Sequence, residues 1–198
     1  MERLTVEDYY REALAILGEH GSEALTIALL CEGLDVTKGS FYHHFGSMGG
    51  FVENLLAFWE REHSERLIAM SRAQPDPSLR ITTITEIGVN LPHASEAAIR
   101  AWGRSNPVVA QAVERVDRRR ERHLVESIAA LGIDRARART LTRVALNLLV
   151  GVQTRERPVD LKRVRQMFEE INKLIFLEAD PDLVARLIAS ASKDPVPS

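Results

Sequence analysis

The chain has 198 residues, a formal charge of −2, 45% hydrophobic and 27% charged residues, which is the balance of a folded protein of one domain or two small ones. Its apolar runs are far too short for a membrane span, and the start Met1-Glu2-Arg3-Leu4-Thr5-Val6-Glu7-Asp8 is too acidic for a secretory or mitochondrial signal, so the cytoplasm is the expected compartment. Cys31 is the only cysteine, which excludes an internal disulfide and a thiolate zinc cage and reads as a small residue of a helix interior.

Strand-like alternation is scarce and turn signals are too widely spaced for hairpins, so the fold is predicted to be all-α. Val6, Tyr10, Ala13, Leu14 and Leu17 form a stripe with helical spacing. Thr5 and Asp8 can cap its start as a carboxylate variant of the capping box, and Gly18 and Gly21 mark its end. Thr26 then caps a short helix whose inward residues are Ile27, Leu30 and Cys31, and Asp35-Val36 fill a turn. The next segment, Thr37-Lys38-Gly39-Ser40-Phe41-Tyr42-His43-His44-Phe45, alternates small, polar and aromatic residues. As a helix it has a polar leading edge for phosphates or base edges and an aromatic back, Phe41 and Phe45, for packing. That is the demand on the second helix of a helix-turn-helix. A long helix is predicted over 48–72, ending before Gln74-Pro75-Asp76-Pro77, with Pro77 well placed at a helix start. Further helices are predicted over 78–91, 94–104, 107–131, 134–156, 160–177 and 181–192, followed by a frayed tail at 193–198. The run Arg118-Arg119-Arg120-Glu121-Arg122 is interleaved with acidic residues and reads as a solvated helix face.

Several of these residues have both a chemical and a local structural reading. Lys38 can neutralise a phosphate or simply be solvated. Gly39, lacking a Cβ, lets a helix sit close to a groove, or merely weakens the helix. Thr26, Thr37 and Ser40 can donate to phosphates or serve as caps. His43 and His44 do not suggest a metal site, because adjacent helical side chains point about 100° apart and do not converge on one ion. No cofactor-binding fingerprint and no catalytic motif is present, so an enzyme is not expected.

The stretch Thr37–Phe45 with the capped helix before it resembles the TetR family of one-component transcriptional regulators, over about residues 5–60. The resemblance implies an N-terminal three-helix DNA-binding domain at 1–46 and a larger helical ligand-binding and dimerisation domain at 47–198. It implies DNA contacts from Thr26, Thr37, Lys38, Gly39, Ser40, Tyr42 and His43; His44 is either a contact or tucked against the next helix. The turn position of Asp35 is usually glycine in the family, because it needs positive φ, which aspartate tolerates better than most residues. The partners implied are a near-palindromic double-stranded DNA operator, a small-molecule effector and a second copy of the chain, with repression as the expected output.

The apolar faces Leu141, Val144, Ala145, Leu148, Leu149, Val152 and Val164, Met167, Phe168, Ile171, Leu174, Ile175 either line the core or join two subunits in a four-helix bundle. For the dimer, Leu141, Ala145, Leu148, Val152, Met167, Ile171 and Leu174 are the expected interface residues. For the effector, Met70, Ile87, His93, Trp102 and Phe168 are expected to line an apolar pocket, each with an ordinary core role as the other reading. Two features depart from the family pattern. Met48 stands where a lysine commonly contacts the DNA backbone. Residues 1–65 carry four basic and twelve acidic side chains, a charge of −8, against +6 for residues 66–198. A DNA-binding head would show the opposite asymmetry, so weak nonspecific affinity and a shallow salt slope are expected. A helical sensing or interaction protein that has lost DNA binding is the other reading, and an enzyme without a recognisable motif is a third.

Overall fold

The computed structural model describes residues 4–179, and every regular element among them is a helix. The helix expected at 181–192 and the tail at 193–198 lie outside the described residues. No described helix is long and apolar enough to cross a membrane. The helices are α1 (Val6–His20), α2 (Ile27–Gly33), α3 (Lys38–Phe45), α4 (Met48–Glu60), α5 (Arg66–Arg72), α6 (Pro77–Val89), α7 (His93–Trp102), α8 (Pro107–Ala129), α9 (Arg135–Arg155) and α10 (Leu161–Glu178). They fall into two compact units. The first takes in residues 4–65, Leu91–Asp117 and Gln153–Val159; the second takes in Arg66–Asn90, Arg118–Val152 and residues 160–179.

Local chemistry sets most of the helix ends. The backbone N–H and the hydroxyl of Thr5 both donate to Asp8 Oδ2, at 2.7 and 2.6 Å, which closes the start of α1. Asp76, Asn106, Asp134 and Asp160 cap α6, α8, α9 and α10 by accepting from backbone N–H groups two residues on, at 2.8–3.0 Å. Gly21 ends α1 at φ +81°, with its N–H donating to the Leu17 carbonyl. Gly18, expected at the helix end, lies inside α1 instead. Its reason is tertiary: a Cβ there would stand 3.2 Å from both Ala94 Cβ and Ser95 N of α7.

The first unit is built on aromatic packing. Tyr9 on α1 meets Phe41 and Phe45 of α3 at centroid distances of 6.3 and 5.2 Å, and Phe45 meets Phe51 of α4 at 4.9 Å. Tyr10 extends the cluster to Phe58 at 5.1 Å. Edge-on and tilted pairs of this kind add about 0.5–1.5 kcal/mol each beyond their area burial. Deeper in, Trp59 is fully buried and its indole N–H donates at 2.7 Å to Oε1 of Glu96, a carboxylate with no exposed surface. Arg100 holds Asp117 with two bonds of 2.7 and 2.5 Å.

The single helix expected over 48–72 is interrupted. Arg61–Glu65 form a π turn between α4 and α5, and the boundary between the two units falls at its end. The widened turn brings His63 Nδ1 to 3.5 Å from Glu96 Oε1. No local sequence signal marks it; π turns inside helices follow tertiary demands.

In the second unit, α6 packs on α10. Phe168 lies over Gly88, where a Cβ would come within 3.1 Å of its ring, and Asn172 donates to Thr85 Oγ at 2.8 Å. Arg165 pairs with Glu86 and Arg137 with Glu178. The acidic residues of the α8 arginine run reach neighbouring helices, Glu121 to Arg143 and Glu126 to Arg72. His123 is buried beside Ser71. Ser71 has one hydroxyl proton, and it donates to the Ile68 carbonyl at 3.1 Å. A neutral His123 carrying its proton on Nε2 then donates to the Ser71 oxygen. Burial, reinforced by Arg72 and Arg80, holds the His123 imidazole below its ordinary pKa.

Two outcomes are expected for stability. Asp35 sits at φ +51°. Asp35→Val should therefore destabilise the chain by about 1–2 kcal/mol in urea unfolding, whereas Asp35→Gly should stay within about 0.5 kcal/mol of wild type; equal stability of the valine variant would deny the left-handed turn. For His123 the folded-state pKa is the lower one, so the unfolded chain binds the extra proton first. Its contribution is complete above the ordinary histidine pKa and is lost as pH falls through the folded value. Urea midpoints should fall from neutral pH toward pH 5, with a smaller fall for His123→Gln.

Candidate nucleic-acid interface

Three side-chain caps and one turn build the exposed edge of the head. Thr26 Oγ accepts from Leu29 N–H at 3.2 Å, Thr37 Oγ from Ser40 N–H at 3.2 Å, and Ser47 Oγ from Gly50 N–H at 3.1 Å. Each cap leaves its hydroxyl proton available for another acceptor. In the turn between α2 and α3, Val36 N–H donates to the Cys31 carbonyl at 2.9 Å, and Asp35 supplies the positive φ. The turn seats α3 with Phe41 and Phe45, four residues apart, buried against α1 and α4.

Burying that back exposes the opposite side. Thr26, Thr37, Lys38, Gly39, Tyr42, His43 and His44 are all exposed, with Tyr42 at 51%. Ser40 is half-buried and its hydroxyl shares a 3.0 Å hydrogen bond with Tyr9 Oη. That bond joins residues 31 positions apart and could not be read from the local pattern. His44 takes a position between its two expected roles: its ring stands 5.8 Å from Tyr9, yet it remains open to solvent. A Cβ at Gly39 would meet only Thr37 Oγ, at 3.5 Å, so the fold itself does not require a glycine there.

The electrostatics are uneven. Lys38 is the only lysine or arginine on α3, and α2 has none. Glu32 and Asp35 are exposed nearby in sequence. Met48 is half-buried and packs on the head core, so the position lacking a lysine is an apolar contact.

The five expected effector residues divide between the units. His93 and Trp102 belong to the first. His93 is buried, with Nδ1 at 3.1 Å from the Gln153 side-chain nitrogen, and Trp102 packs on the edge of the head core. Met70, Ile87 and Phe168 belong to the second, where Met70 is 50% exposed and Phe168 is buried. The first unit has an open groove of about 560 Å³ lined by Leu14, Gly18, His63, Pro92 and His93 among others, so His93 is the one of the five that lines it. Of the seven expected interface residues, Leu141, Ala145, Val152 and Ile171 are buried within the subunit, Leu148 and Met167 are half-buried, and Leu174 is 49% exposed. Val144 and Leu177, at 48 and 80%, are exposed on the same two helices and were not among those seven.

Residues 10–55 match the family model described as bacterial regulatory proteins, tetR family. No curated protein matches the chain. Solved structures share its fold at low identity. A transcriptional regulator from Rhodococcus sp. Rha1 has a TM-score of 0.74 at 14% identity, over 89% of this chain and 98% of that one. A TetR-family transcriptional regulator from Streptomyces coelicolor has a TM-score of 0.72 at 16% identity, over 87 and 94%. A transcriptional regulator from Saccharomonospora viridis, solved in complex with choline, has a TM-score of 0.71 at 15% identity, over 85 and 95%. The helix-turn-helix at α2–α3 falls inside this match, so residues 10–55 are similar to the DNA-binding head of the tetR family of bacterial regulatory proteins, and the chain shares the fold of the solved TetR-family structures.

Proposed function

We propose that this protein is a homodimeric, ligand-responsive repressor that places α3 of each subunit in successive major grooves of a near-palindromic operator. The observation that carries the reading is the division of α3 into a buried aromatic back and an exposed edge of Lys38, Gly39, Tyr42, His43 and His44. Thr26, Thr37 and Ser40 would contribute hydroxyls to the phosphates, Ser40 while held by Tyr9. Gly39 supports the reading independently: among the described residues only Thr37 Oγ, at an ordinary contact distance of 3.5 Å, comes near where its Cβ would be, so the open side is left for close approach by DNA. The functional head is residues 1–46, and residues 47–198 form the ligand-binding and dimerisation part. An effector acts by favouring a head separation that no longer matches two grooves. The helical run 48–72 is the covalent route for that change. Met70, Ile87, His93, Trp102 and Phe168 remain the residues proposed for effector contact.

The acidic head favours a second reading, a helical sensor that no longer binds DNA. Selection of bound genomic fragments at low salt separates the two. Recovery of a common near-palindrome supports the regulator; recovery of no sequence over background supports the sensor. On the recovered operator, Lys38→Ala should weaken binding and lower the magnitude of the salt slope by about 1 per affected half-site. Gly39→Ala should raise stability by up to about 1 kcal/mol while weakening operator binding. Unchanged affinity in both variants would remove α3 from the interface.

The dimer is proposed to form on α9 and α10, through the exposed Val144, Leu174 and Leu177 and the half-buried Leu148 and Met167. The buried members of the expected set, Leu141, Ala145, Val152 and Ile171, support that face from within. Sedimentation should show a dimer at micromolar concentration, and Leu174→Glu should shift it toward monomer without loss of helicity. A monomeric wild type would end this assignment.

A further inference from the structure

The exposed edge of α3 carries one permanent cation and two adjacent imidazoles. The rings of His43 and His44 stand 5.4 Å apart, both are open to solvent, and neither forms an ion pair among the described residues. The two other histidines of the first 65 residues face carboxylates: His20 stands 3.8 Å from Glu19, and His63 stands 3.5 Å from Glu96. The charged groups on the elements packed around α3 are mostly acidic. On α1, Arg11 holds Glu7 and Asp8 at 3.0 Å, and Glu12 comes next along the chain. Glu32 lies on α2, Asp35 in the turn and Glu53 on α4. A polyanion approaching this surface meets one lysine set within a segment whose permanent charges sum to −8.

We propose that His43 and His44 form a proton-gated phosphate contact, so that binding to DNA takes up protons and tightens as pH falls from 8 to 6. The inference rests on the DNA-binding reading above. A neutral imidazole offers one N–H donor and no charge; an imidazolium offers two donors and a positive charge. Histidine is the side chain whose ordinary titration lies in this range, and a phosphate within reach favours its charged form. The proton comes from solvent, and the phosphodiester stays anionic throughout. Protonating both rings removes a quarter of the permanent negative excess of residues 1–65, so the same event adds a contact and weakens long-range repulsion. A head with several lysines at its phosphate contacts would gain little from this. The single Lys38 is what makes the histidines decisive.

The test is fluorescence anisotropy with a labelled duplex recovered by fragment selection and an unrelated duplex of equal length, across a salt series at each pH. The proteins are wild type, His43→Gln, His44→Gln and the double variant. Glutamine keeps a hydrogen-bond donor and does not titrate. Circular dichroism at both ends of the range confirms folding. Wild type should bind at least about tenfold more tightly at pH 6 than at pH 8, and the double variant should change by less than about twofold. The magnitude of the wild-type salt slope should also rise at low pH, by up to about 0.9 for each contact that becomes charged. Each single variant should show a pH dependence between the two. A pH-independent wild type, or a double variant with the wild-type pH dependence, overturns the proposal while leaving DNA binding standing. Failure of every protein to bind either duplex at any pH removes the DNA-binding reading, and this proposal with it.

Discussion

The packing of Tyr9 against Phe41 and Phe45 is the constraint on which the head depends. A helix of eight residues is too short to hold its own shape in water, since helix nucleation is unfavourable and few backbone bonds repay it. Tertiary burial must therefore supply the stability of α3. Burying two rings four residues apart fixes the rotation of the helix about its axis, and so fixes which side chains face outward. Ser40 adds a polar contact to the same tyrosine. The interface edge is thus the consequence of an aromatic wedge behind it, with Thr37 capping the start of the helix and Gly46, at φ +67°, ending it.

Charge governs the head in a different way. Its scaffold is acidic, and its recognition edge has one lysine. Affinity for a polyanion would be set locally, by hydroxyls, amides and the single cation, rather than by a broad basic field. Such an interface leans on close approach, where Gly39 leaves room, and is sensitive to any change in the charge of the residues beside it.

Farther from the edge, buried polar groups organise the first unit. Glu96 has no exposed surface, so its carboxylate needs partners, and Trp59 and the π turn at Arg61–Glu65 are placed around it. A buried carboxylate without such partners would be costly. The π turn stands at the point where the chain passes from one compact unit to the other. In the second unit, ion pairs at Arg165–Glu86 and Arg137–Glu178 lie on a scaffold held mainly by apolar contact, and exposed pairs of this kind add little stability.

Much of the architecture is written locally, because helices are. The 3.6-residue periodicity, the Asp and Asn caps, and the prolines after them lie within a few residues of the ends they define, so outside the run 48–72 the helices of the described chain and nearly all their boundaries are legible by eye. The outward set on α3 is legible too, since two phenylalanines at helical spacing leave only one face for Lys38, Tyr42, His43 and His44. What the chain could not show locally depends on partners distant in sequence. Gly18 reads as a helix end until Ala94 and Ser95 are seen against it. Ser40 reads as a phosphate donor or a cap until Tyr9 is seen to share its hydroxyl. The run 48–72 reads as one helix until Glu96 draws on His63 across a π turn. Leu141 and Ile171 read equally as core or as an interface with a second subunit, and only the fold shows that their own unit buries them. The sequence by itself determined the helices, their caps and the polar edge of the recognition helix, because those depend on neighbouring residues; tertiary structure decided which faces are spent inside, because burial is settled by contacts between segments far apart along the chain.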